Sequence, residues 1–267
     1  MFNVDETAYL KYKRKRKFQD NLLDVAKLYN KFGKSYDSIM FTLNEHLKYF
    51  PLLDSWRREI CFSWDTCRQS LICATATYEE KIKNKYQTKR QTKERIYYTN
   101  ITEYYLENTL YRLFSILDKL SHALNLVLNL GFKERDVSFP RVRDKLINTY
   151  PQHRIIPIIE MFESRESLHK ILRETRNAMI HREGPLDSSL SFEQVTFEVP
   201  EGFNEKGYVS AVIPILNKPK LTLEELYEVV HEYYEISTRL INFTLILLLL
   251  EISEKYEKEL MIFRDTV

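Results

Sequence analysis

The sequence predicts a mainly α protein: a helical bundle with an N-terminal helical extension and a small inserted β-hairpin. Three observations predict it. Only five glycines and eight prolines occur in 267 residues rich in Leu, Ile, Lys, Glu and Tyr, so long uninterrupted helices are expected. Leu106, Leu110, Leu113, Leu117, Leu120, Leu124 and Val127 recur at alternating spacings of four and three, a stripe that calls for a helical partner. The helical pattern breaks once, at Gln194 to Val199 and Tyr208 to Ile215, where polar and apolar residues alternate.

The elements follow in order. Residues from about Glu6 to Lys31 read as a first helix interrupted at Gly33, and Tyr36 to Tyr49 as a second that stops before Pro51, since the residue before a proline disfavours the helical region. Asp54 is placed to cap a third, whose apolar period runs through Trp56, Ile60, Trp64, Cys67, Leu71 and Ile72 towards Tyr86. Gln87 to Arg95 is polar and basic, either a linker or an exposed helical extension. The chain is therefore divided into an N-terminal helical region, residues 1–95, and a bundle, residues 96–267. Thr102 can cap the leucine-striped helix, which ends at Leu130-Gly131. Arg141 to Tyr150 and Pro157 to Glu163 are shorter pieces limited by proline, and a helix from about Glu166 to Glu183 follows. The hairpin, at about residues 192–216, turns through Pro200-Glu201-Gly202 and Gly207, with Pro214 placing its second strand at an edge. Its closeness in sequence to the preceding helix suggests that it walls one side of a site there. A long helix from about Thr222 to Phe263 closes the bundle, packing against the leucine stripe together with the Glu166 to Glu183 helix.

Composition excludes several classes. A chain that is 44% hydrophobic and 13% aromatic buries a full core rather than remaining disordered. The net charge of +2 carries no global nucleic-acid signature. Two basic runs stand out locally: Lys11, Lys13, Arg14, Lys15, Arg16 and Lys17, then Lys81, Lys83, Lys85, Lys89, Arg90, Lys93 and Arg95. Either can neutralise phosphates, although such runs are ordinarily solvated surface. Cys61, Cys67 and Cys73 are evenly spaced at six residues, which fits no common metal site; free thiols are expected and no metal or cofactor is called for. Met1 to Leu10 lacks an apolar leader core, so a reducing cytoplasm is expected. The apolar run Leu240 to Leu250 is too short to span a bilayer and is read as core, with no membrane association. There is no Gly-rich phosphate loop, nucleophile elbow or paired-carboxylate metal signature.

The chemistry concentrates at Arg176-Asn177-Ala178-Met179-Ile180-His181. Successive helix residues turn by about 100°, so Asn177 and His181 share an edge while Arg176 projects roughly 140° away from His181. The planar fork of an arginine can hold a phosphate, and a histidine titrating near neutrality can move a proton to or from a ribose 2′-hydroxyl or a leaving 5′-oxygen. That pairing suits metal-independent RNA cleavage. The plainer alternative is a surface or capping arginine and a helix-end histidine. Arg173 and Arg182 lie within reach of the same helix end and can add phosphate contacts. His122 and His169 are accessory candidates whose ordinary role is packing.

The segment from Leu168 to Arg182 resembles the signature of the HEPN superfamily, an arginine separated from a histidine by four to six positions, the first of them usually polar; here that residue is Asn177. Tyr111-Arg112-Leu113-Phe114-Ser115-Ile116-Leu117-Asp118-Lys119-Leu120 is similar to the first core helix of several HEPN subfamilies. The resemblance runs from roughly Thr102 to Arg182, with the last long helix as a closing element. It implies a HEPN-like helical bundle and a metal-independent endoribonuclease, of the kind found in toxin, antiviral and RNA-processing systems, that needs no cofactor. Carried over by resemblance, His181 serves in acid–base transfer, Arg176 stabilises the phosphorane charge and Asn177 orients substrate. The resemblance further implies RNA as partner, a homodimer in which two copies of the motif share one cleft, and an antitoxin or defence-system partner. Family members that lack catalysis keep the fold as a module binding RNA, a nucleotide or a protein, which is the alternative reading.

Overall fold

The computed structural model describes residues 11, 22–37, 49–83, 89–180, 190–198, 208–216 and 221–266, and they are mainly helical. The helices are α1 (Leu22–Asp37), α2 (Tyr49–Lys83), α3 (Lys89–Val127), α4 (Phe139–Thr149), α5 (Ile156–Glu163), α6 (Glu166–Ile180) and α7 (Leu223–Thr266), with a short 3-10 turn at Glu134–Asp136. The broadest packing of α3 is against α2, followed by α7. All seven members of the leucine stripe are buried, and they share one core with Leu53, Ile60, Trp64 and Leu71 of α2 and with Leu226, Val230, Leu240 and Leu245 of α7. The stripe therefore faces chiefly helices before and after the motif helix, while α6 adds Leu168 and Leu172 at one corner.

Several expected helix ends are placed differently. Pro51 lies within α2, two residues after its first described residue, and residues 38–48 of the segment read as a second helix, Tyr36 to Tyr49, lie outside the described residues. Asp54 lies inside that helix and pairs with Arg57 and Arg58, each at 2.7 Å, instead of capping. Gly33 does not interrupt α1; Tyr29 and Phe32 on the turn before it pack on Phe50, holding the helix together across the glycine. Thr102 is buried in the interior of α3, its hydroxyl 2.7 Å from the Tyr98 carbonyl and 2.9 Å from the Thr77 hydroxyl. The basic stretch from Lys89 is helical extension, not linker. Lys81, counted among the phosphate-neutralising residues, is buried and engaged by Glu224 at 2.9 Å.

Other ends follow their local chemistry. Thr222 and Glu225 form a capping box for α7: the Glu225 N–H donates to Thr222 Oγ1 at 3.2 Å and the Thr222 N–H to Glu225 Oε2 at 2.7 Å. After α3 the chain turns through Asn129 and Gly131, both at positive φ, and Asn125 closes the turn with two 3.1 Å hydrogen bonds to the Phe132 backbone. Within α7, Leu223–Lys255 is long and apolar enough to cross a membrane, and 39% of its most apolar window is buried within the fold. Leu190–Glu198 and Tyr208–Leu216 run antiparallel, from Leu190 opposite Leu216 to Glu198 opposite Tyr208. Among the described residues neither strand packs broadly against a helix, and nothing there supports the expectation that an inserted hairpin walls the site. Its turn, residues 199–207, lies outside the described residues.

Candidate functional site

The motif helix is amphipathic. Leu168, His169, Leu172 and Thr175 face inward, while Lys170, Arg173, Glu174 and Asn177 are exposed along the opposite edge. Arg176 lies between the two faces, half-buried, with its guanidinium carbon 5.0 Å from the centre of the Phe114 ring on α3. Its Nε is buried and has no hydrogen-bond partner among the described residues. The ring contact fixes the guanidinium at the edge of the fold, where the exposed part of the half-buried side chain can meet an acceptor.

Arg176 looks into a cavity of about 420 Å³ formed where α3, α4, α5, α6 and α7 converge. Its aromatic part is Phe114, Phe139, Phe162 and Tyr233. Tyr233, from α7, is 1% exposed, with Phe114, Phe162 and His169 rings 5.5 to 5.8 Å from its own. Burial pushes its phenol well above the usual range; the Glu163 carboxylate adds to the rise, Arg173 and Arg176 oppose it, and Asp118 adds a smaller rise. Those four charged side chains thus act on a common point. Asp118 also accepts a 3.3 Å hydrogen bond from the Phe139 N–H, filling the place that the Ser138 side chain leaves open at the start of α4.

Arg143 of α4 reaches Glu163 of α5 at 2.9 Å and Asp144 at 2.7 Å. Burial works to lower its pKa, but the hydrogen bonds and charges of Asp144 and Glu163 prevail and hold it above the ordinary arginine value. Arg143, Glu163, His169, Arg173 and Asn177 line both this cavity and a second one of about 770 Å³ beside it.

The sequence-identified residues divide accordingly. Arg173, Arg176 and Asn177 meet at the inner cavity, and His181 and Arg182 lie outside the described residues. His169 is buried with its Nε2 2.8 Å from the Phe162 carbonyl oxygen while lining both cavities, and His122 stacks on Trp56 at 4.7 Å, away from them. Sequence reasoning missed Asp118, Arg143, Glu163 and Tyr233. Phe114 and Asp118 do fall in the stretch of α3 that carries the resemblance, but nothing local in the sequence marks Arg143 or Tyr233. No group of three or more His, Cys, Asp or Glu side chains placed to hold a metal ion occurs among the described residues.

A helical bundle whose chain carries an Arg-Asn-x-x-x-His sequence, with Arg176 and Asn177 on the helix that packs at the corner of a long leucine-striped partner, is a HEPN-type module. A family model described as HEPN_Cthe2314-like HEPN matches residues 56–242, and the chain belongs to that family. The match starts within α2, so it takes in the α2–α3 pair as well as the motif helix. No curated protein and no solved structure gives a match.

Proposed function

We propose that the protein is a metal-independent endoribonuclease of the HEPN type, acting through a composite site in a homodimer. The observation that carries this reading is Arg176: a cation fixed against Phe114 at the edge of a cavity, its buried Nε without a partner among the described residues, beside an exposed Asn177. In the proposed step, one His181 takes the proton of a ribose 2′-hydroxyl as that oxygen attacks phosphorus. The P–O5′ bond breaks, the partner subunit's His181 gives a proton to the leaving oxygen, and the products are a 2′,3′-cyclic phosphate and a 5′-hydroxyl. Arg176 neutralises charge on the phosphorane, Asn177 orients the substrate, and Arg173 and Arg182 hold neighbouring phosphates. Such an activity suits a toxin or antiviral effector working in the cytoplasm, restrained by an antitoxin or another defence component.

The test is cleavage of RNA by purified full-length protein in EDTA. Cyclic phosphate ends are expected, with loss of cleavage in His181→Ala and a fall in specific activity on dilution through the dimer dissociation range. Cleavage that requires added metal, or a fully active His181→Ala, overturns the reading. One observation favours the non-catalytic alternative: Asp118 and Glu163 line the same cavity and oppose a phosphate there. On that reading the module binds RNA, a nucleotide or a protein partner with no turnover under any condition.

A further inference from the structure

The outer cavity, about 770 Å³, is continuous in its lining with the inner one yet differs in charge arrangement. On one wall Arg143 is engaged by both Glu163 and Asp144, so that this wall carries one carboxylate in excess. On the facing wall α6 presents Lys170, Arg173 and Glu174, one cation in excess, and among the described residues neither Lys170 nor Arg173 makes an ion pair. Ile147, on α4 with Arg143 and Asp144, adds an exposed apolar surface to the lining. Lys170, Arg173 and Asn177 stand at i, i+3 and i+7 on one face, and the rise of a helix separates the first from the last by about 10 Å along the axis.

We infer that the outer cavity is a subsite for the nucleotide next to the cleaved bond of a single-stranded RNA, with Lys170 binding the flanking phosphodiester. The assignment rests on the ribonuclease reading for the position of the cleaved bond. A single phosphodiester has one negative charge and matches the excess on the α6 wall. Amino groups of a base and hydroxyls of a ribose can donate to the acidic wall at Asp144 and Glu163, and a base has apolar area for Ile147. A polyphosphate would instead set several charges against Asp144, Glu163 and Glu174. A base inside a duplex could not enter, since its face and edge are already occupied.

The experiment measures binding of an RNA decamer, and of a dinucleoside monophosphate by competition, to full-length protein carrying His181→Ala to prevent turnover, with and without Lys170→Ala. Lys170 is exposed, so the substitution leaves the fold intact. Lys170→Ala is expected to weaken the decamer about tenfold. It should also reduce the slope of log affinity against log salt by about 0.7, the value for one phosphate contact on a single strand. The dinucleoside monophosphate, whose single phosphodiester is the one at the cleaved bond and which lacks the flanking phosphate, should bind unchanged, as should the decamer to Lys133→Ala, an exposed lysine outside both cavities. Unchanged decamer affinity and slope overturn the subsite, as does equal weakening of both ligands, and either result leaves the ribonuclease reading standing if the native chain cleaves RNA in EDTA. A Lys170-dependent decamer affinity in a native chain that never cleaves overturns the ribonuclease reading and, with it, the subsite's place beside a cleaved bond. No RNA binding at all overturns both.

Discussion

Two regions of the bundle use polar side chains in opposite ways. Where α2 and α3 meet the start of α7, buried polar groups find partners within the chain: Lys81 with Glu224 at 2.9 Å, Thr75 with His231 at 3.0 Å, Thr77 with Thr102 at 2.9 Å and Asn108 with Ser70 at 2.9 Å. At the corner of α3, α6 and α7 the Arg176 Nε is buried without one, and Arg173 and Lys170 make no ion pair among the described residues. A satisfied polar network specifies how helices seat, and a donor left open in a cavity stabilises nothing until something enters.

The largest effect expected from this contrast is on activity. Arg176→Ala should lower cleavage by about 10²- to 10³-fold, the range for removing one donor to a developing anionic charge. Since the Arg176 Nε has no hydrogen-bond partner among the described residues, the same change should move unfolding by chemical denaturation little. A strongly destabilised but fully active Arg176→Ala would place this arginine with the architecture and erase the distinction.

What was legible in the sequence divides along the same line. The leucine stripe announced α3 because a buried helical face repeats every turn, and each of its members is buried. The helix ends suggested by Gly33, Asp54 and Thr102 were misplaced because local signals compete with packing that only the folded chain supplies. Thr102 has the chemistry of a cap, yet it is buried against Thr77, a residue 25 positions earlier. Arg176 and Asn177 were legible because they are adjacent on one helix. Asp118, Arg143, Glu163 and Tyr233 come from four different helices, and no spacing within one segment can announce a meeting of that kind.

The architectural side should respond to core truncation. Leu110 is fully buried on α3, and Leu110→Ala is expected to cost about 2–5 kcal/mol of stability through lost burial and the cavity left behind. Chemical denaturation measures it, and cleavage per folded molecule should stay near the native value. Thr102→Val is a smaller probe. It keeps the shape and removes the hydroxyl shared with Thr77 and the Tyr98 carbonyl, for about 1 kcal/mol. A neutral result there would mean that the paired network contributes little to the seating of α2 on α3.

The smallest effect at neutral pH, and the most discriminating at high pH, compares two buried tyrosines. Tyr29 donates a 2.8 Å hydrogen bond to the Leu245 carbonyl, whereas Tyr233 stands among Glu163, Arg173, Arg176 and Asp118. Burial is the largest cause of the raised phenol pKa in both. A phenol whose folded pKa lies above its unfolded value keeps its proton in the folded chain while the unfolded chain loses one, so stability falls as pH rises beyond the unfolded value of 10.0. Each such tyrosine contributes about 1.4 kcal/mol per pH unit above that point. Tyr233→Phe should therefore leave stability at pH 7 nearly unchanged, whereas Tyr29→Phe should lose about 1 kcal/mol there with its carbonyl bond. Both substitutions should flatten the alkaline decline seen in denaturant titrations between pH 9 and about 11. If Tyr233→Phe alone lowers stability at pH 7, its hydroxyl belongs to a satisfied network, and the motif corner is built like the rest of the bundle.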